Sequence, residues 1–126
     1  MAHQFAQENI AILDAVLVQV GGGAFAASVS RGLSEAGINA PLVAVQTEGC
    51  APLSRAWNTA QSDANPAQHW TKHMWAWENE PVSLADGILD DETYDWVADL
   101  AQIQRTNGQV VVARESEVIH ASQLAP

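Results

Sequence analysis

The chain has 126 residues, room for one domain of ordinary size and too few for two. Apolar residues make up 48% of it and charged residues 16%, which argues against global disorder. Five basic residues against fifteen acidic ones leave a net charge of −10, so neither a nucleic-acid backbone nor an anionic membrane is an expected partner.

The first residues, MAHQFAQENI, lack a basic segment followed by an apolar one, and no targeting signal is read there. Residues 3–12 are mixed and allow a short helix. AVLVQV, residues 15–20, is a β-branched run with little polar interruption, the pattern of a strand buried on both faces of a parallel sheet. Gly21, Gly22 and Gly23 end it. Residues 24–36 predict a helix with Phe25, Val29 and Leu33 on one stripe, and Gly37 as its C-terminal cap. The most apolar stretch, 11–29, carries Asp14, Gln19 and the three glycines, so it is not a membrane span.

PLVAVQ, residues 41–46, reads as a second buried strand, followed by a helix from Pro52 to about Ala60. Cys50, the only cysteine, fits a reducing compartment and the role of a small buried thiol. Residues 61–69 are a loop by composition. The segment 70–89, with Trp70, Trp75 and Trp77, has no clear period; its tryptophans suit a core or an interface. Asp90 or Asp91 is placed to cap a helix reaching about Arg105, ended by Asn107-Gly108. QVVVA, residues 109–113, is a third strand, and Ser116 the expected cap of a last short helix. The order predicts an α/β fold: a small parallel sheet with flanking helices, right-handed crossovers and open edges.

The strongest chemical feature is VLVQVGGGAFAAS, residues 16–28. A strand runs through three glycines straight into a helix. The free amides of a helix N-terminus and its dipole favour an anion, and glycine lets the backbone approach it closely. The expected ligand is a phosphate held by the amides of Gly21 to Ala24. A tight turn with no ligand has the same local pattern. The loop is not a nucleotide P-loop, since no Gly-Lys-Ser/Thr follows, and Ala26 stands where GxGxxG needs its third glycine.

His69 and His73, four apart, have no obvious third metal ligand and read as two partly exposed histidines near a loop. Asp90, Asp91 and Glu92 suit a helix N-terminus better than a cation site.

VLVQVGGGAFAASVSRGL, PLVAVQTEGCAPLSRAW, SLADGILDDETYDW and VVVARESEVIHA together resemble fold-type II pyridoxal-phosphate enzymes, most of all the threonine synthase-like branch, then threonine dehydratase and serine racemase. The resemblance covers about residues 15–121. It implies a part of the cofactor domain, with pyridoxal 5'-phosphate as cofactor and an amino acid as substrate. It places Gly21, Gly22, Gly23 and Ala24 around the cofactor phosphate, and Gly87 against one face of the pyridine ring. The local alternative for Gly87 is a turn before the helix at 90–105.

The family's Schiff-base lysine belongs upstream of the glycine loop, where this sequence has none; its single lysine is Lys72. The partner of the pyridine nitrogen is expected beyond a segment equivalent to 110–121. On this reading residues 1–126 form one partial domain with no catalytic residue. The isolated chain is then expected to show no lyase or synthase turnover. Relatives with a divalent-cation site carry a glutamate at the position of Gln46, so no metal site is expected. The chain is expected in the cytoplasm, as a homo-oligomer or beside a complementary segment. The alternative from another class is a non-catalytic α/β binding or assembly module that self-associates.

Overall fold

A computed structural model describes residues 12–126, so the helix expected over 3–12 falls outside it save for Ile12. Three strands, β1 (Val16–Gln19), β2 (Leu42–Thr47) and β3 (Gln109–Ala113), form one parallel sheet in the order β1-β2-β3. Val16 pairs with Leu42 and Gln19 with Val45; Val43 pairs with Gln109 and Thr47 with Ala113. Among the described residues five α-helices accompany it: α1 (Ala24–Glu35), α2 (Pro52–Ala60), α3 (Trp70–His73), α4 (Trp96–Arg105) and α5 (Glu115–Leu124).

A chain that steps one way across a parallel sheet with right-handed crossovers lays its helices on a single face. The core has that form. Val18, Val20, Leu42 and Ala44 of the sheet region meet Ala26, Val29 and Leu33 of α1, Leu53, Ala56 and Ala60 of α2, and Trp96, Leu100 and Ile103 of α4. Each helix buries a stripe at helical spacing, and alanines allow the backbones to approach. The sheet's other face carries Leu17 and Val111, which are 67% and 37% exposed.

Burial therefore corrects one expectation. β2, flanked on both sides, is the strand buried along almost its whole length. β1 lies at an edge, with only Val18 fully buried between the exposed Leu17 and Gln19.

Two helix ends follow the sequence closely. After α1, Gly37 takes φ 72, and the amides of Gly37 and Ile38 return to the carbonyls of Ser34 and Leu33. After α4, Asn107 takes φ 56, with the amides of Asn107 and Gly108 returning to Gln104 and Ile103. Two helix starts differ. α4 begins at Trp96 rather than near Asp90, with no side-chain cap. The 90–93 stretch is tied elsewhere: the Asp90 carbonyl accepts from the Cys50 thiol, the Asp91 carbonyl from the Trp77 amide, and Thr93 reaches Gly21. α5 is preceded by Arg114 rather than capped by Ser116; the Glu117 carboxylate accepts the Arg114 backbone amide at 2.8 Å.

Candidate functional site

The glycine loop leaves the carboxyl end of β1, where open parallel sheets carry their ligands. Val20 donates to the Val45 carbonyl at 2.9 Å, the last backbone tie to the sheet. Beyond it the carbonyls are all engaged. Gly21 O accepts from Thr93 Oγ1 at 2.9 Å, Gly22 O from the Asp95 amide at 3.1 Å, and Gly23 O from the Ala27 amide at 3.1 Å. The amides of Gly21, Gly22, Gly23 and Ala24 donate to no atom among the described residues. They sit at the start of α1 on the wall of a cavity of about 370 Å³, which Gly87, Ile88, Phe25 and Asp90 also line. The structure thus brings together all five residues singled out in the sequence.

Different contacts hold each glycine. Gly23 has φ 98, and a Cβ there would come within 2.3 Å of Asp99 Oδ2. At Gly21 a Cβ would come within 2.6 Å of Asp90 Oδ2 and 3.2 Å of the Ile88 backbone. A Cβ on Gly22 would meet Asp90 at 3.4 Å and Tyr94 at 3.7 Å, ordinary contacts. Gly87 lies in a 3-10 turn, Asp86–Ile88, and a Cβ there would meet nothing within 4 Å. The protein's own packing therefore does not explain a glycine at 87, whereas a ligand against that wall would.

Behind the loop stand residues the sequence reading did not assign to it. Thr93 and Gln46 are fully buried. Gln46 Nε2 donates to the Val20 carbonyl at 3.1 Å and to Thr93 Oγ1 at 3.4 Å. Its Oε1 accepts the amides of Leu53 and Ser54 at 2.8 and 3.2 Å, doing for α2 what a capping side chain does. One amide side chain thus joins the glycine loop, the centre of the sheet and the start of α2. Its signal in the sequence is a lone polar residue inside an apolar strand.

Asp99 is 1% exposed and neither carboxyl oxygen has a hydrogen-bond partner. Burial, and then the neighbouring Asp95 charge, push its carboxyl up to about 7.

The other candidates lie apart from this cavity. His73 is buried, which corrects the expectation of two partly exposed histidines. Its Nε2 meets Asp63 Oδ2 at 2.8 Å, its Nδ1 meets Thr59 Oγ1 at 2.9 Å, and its ring packs on Trp96 at 5.7 Å. With both ring nitrogens satisfied, burial is tolerated. His69 Nδ1 meets the same Asp63 oxygen at 2.8 Å. These contacts, that of His73 first, hold the Asp63 carboxyl well below the usual carboxylate range. Cys50 is buried, and desolvation raises its thiol. Lys72 is exposed on α3 and lines neither this cavity nor a larger one of about 500 Å³. In that larger cavity the Arg55 guanidinium lies 3.8 Å from the centre of the Trp75 ring and 5.1 Å from that of Trp77, paired with Glu78.

The model of the pyridoxal-phosphate dependent enzyme family matches residues 1–125. The chain belongs to that family. Its cofactor is pyridoxal phosphate, as the resemblance implied. The fold agrees with two solved structures. A T.th. threonine deaminase superposes with a TM-score of 0.66 at 18% identity, over 96% of this chain and 38% of that one. The processed form of threonine deaminase isoform 2 from Solanum lycopersicum gives a TM-score of 0.54 at 14% identity, over 98% of this chain and 47% of that one. The chain thus spans less than half the length of either deaminase. No curated protein matches its sequence. Among the described residues no helix is long and apolar enough to cross a membrane.

Proposed function

We propose that this chain supplies the phosphate cradle and one ring-facing wall of a pyridoxal-phosphate lyase or synthase acting on an amino acid, of the threonine synthase-like kind. The observation that carries this reading is the set of unclaimed amides from Gly21 to Ala24 on the cavity wall, with the carbonyls of the three glycines tied back. Unclaimed amides and a helix dipole favour a phosphate group. The open space over Gly87 suits a flat ring. When bound, the cofactor supplies a conjugated ring that accepts electron density from the substrate's Cα. The residues of this chain hold and orient it. No catalytic residue is assigned among these residues, and Lys72 lies outside the cavity. Action in the cytoplasm belongs to the same reading.

Pyridoxal phosphate is expected to raise the melting temperature of the purified chain in a dose-dependent way. Gly22→Val fills the cradle, and Gly22→Ala adds a single methyl where the fold has room for one. Both variants are expected to keep the native circular dichroism spectrum. Val is expected to weaken cofactor binding about tenfold or more, and Ala less. A wild-type chain indifferent to pyridoxal phosphate at millimolar concentration would contradict the cradle.

A second reading, a self-associating assembly module, is favoured by the exposed Leu17 and Val111 on the sheet face opposite the helices. Its occupant is a second copy of this chain.

A further inference from the structure

The Asp99 carboxyl has no role in the fold that its contacts reveal. It projects from the first turn of α4 into the core stripe, 1% exposed, with both oxygens unpartnered. Its Oδ2 occupies the place where a Gly23 side chain would begin, 2.3 Å from the ideal Cβ position. The unclaimed amides of the loop belong to Gly23 and its neighbours. The Thr93 hydroxyl and the Asp95 amide hold the loop by its carbonyls, so it is anchored against the carboxyl beneath it.

We propose, on the basis of the phosphate-cradle reading, that Asp99 is a positioning residue whose proton sets the anion affinity of the glycine loop. Neutral Asp99 leaves the positive field of the amides and helix dipole intact. Ionised Asp99 sets a negative charge directly behind them and opposes a bound dianion.

The surroundings leave this charge uncompensated. Just before α4, Asp95 stands one turn ahead of Asp99 and adds to the repulsion. Across the loop, Asp90 lies against Gly21. Arg31 and Glu35 of α1 line a separate cavity with Ala98 and Gln102 of α4. From α2, Arg55 is paired with Glu78. β2 contributes the neutral Gln46 and Thr47. Burial and Asp95 together bring the carboxyl's titration up to about 7.

The test uses the full 126-residue chain and sulfate, which keeps both charges from pH 5.5 to 8.5. A phosphate group would titrate with a pKa of about 6 and blur the result. Sulfate affinity, measured by calorimetry, is expected to fall about tenfold or more as pH rises through this range. In Asp99→Asn it is expected to stay near its low-pH value throughout, and in Asp99→Ala likewise, should the asparagine variant fail to fold. Without any ligand, the Gly23 and Ala24 amide resonances of the wild type should shift with a midpoint in the same range. Sulfate affinity that is flat with pH, a slope that persists in both variants, or amide resonances that do not titrate would overturn the gate while leaving the cradle. Absence of sulfate binding at every pH would overturn the cradle and the gate with it.

Discussion

Asp99 has a measurable consequence before any ligand is added. Its folded-state titration, raised to about 7, lies above the ordinary aspartate value of about 3.9. The folded chain therefore holds the proton more tightly than the unfolded one. Its contribution to stability is full below about pH 4, declines as pH rises from there to about 7, and falls no further above that. A shift of this size corresponds to at most about 4 kcal/mol, and relaxation around the buried carboxylate lowers the expected effect to about 2. Asp99→Asn is expected to stabilise the chain by about 1–3 kcal/mol at pH 8 and to flatten the decline. Urea denaturation at pH 4, 6 and 8 reads both effects. An unchanged pH profile in the variant would show that another group governs it. The burial of Asp99 was legible in the residues: Trp96, Asp99, Leu100 and Ile103 share one helical stripe. The sequence reading placed Asp90, Asp91 and Glu92 at the helix start and gave Asp99 no role. Gly21 to Ala24 and Gly87, 63 positions further on, are joined in the sequence only by the family resemblance, and the fold sets them on one cavity.

Among the elements, α2 depends on a side chain it does not contain. Pro52 opens the helix, and the amides of Leu53 and Ser54 find their acceptor in Gln46 of β2. Gln46→Leu preserves bulk but strands those two amides and the Val20 carbonyl. The expected loss is about 2–4 kcal/mol, with faster hydrogen exchange at Leu53 and Ser54 than elsewhere in α2. Uniform exchange along the helix would assign the cap elsewhere. Elements governed by local rules followed the sequence: the strand at 109–113, the helix after three glycines, and the left-handed ends at Gly37 and Asn107. Elements governed by distant partners did not. α4 starts four or five residues later than a cap at Asp91 or Asp90 would set, because Cys50, Trp77 and Gly21 claim the stretch before it. β1 carries the β-branched pattern of a central strand but stands at an edge, since sheet order is set by the crossovers and not by the strand's own residues.

At the scale of the whole molecule, the core lies on one side of the sheet. The other side offers Leu17 and Val111 at a parallel sheet, an architecture whose faces are ordinarily both covered. If copies of the chain meet there, light scattering should give a mass above 13.5 kDa. Added salt should strengthen the association by screening the −10 charge on each copy. Leu17→Asp should return the particle to monomer without loss of helix signal. A wild-type monomer at hundreds of micromolar and high salt would remove the self-association reading. The same measurement with pyridoxal phosphate separates the two functional readings, because only the cradle predicts a response to the cofactor.

The hydroxyl that secures Gly21 lies 72 residues further along the chain. During synthesis on the ribosome, β1, α1, β2 and α2 emerge with the β1–β2 pairing available, while Thr93 and Asp95 are still inside the exit tunnel or unmade. The segment from β1 to α2 therefore leaves the ribosome with its glycine turn untethered. The cavity beside that turn is complete only once the segment carrying Gly87, Asp90 and Thr93 folds back, which makes it a late product of translation rather than a seed for it.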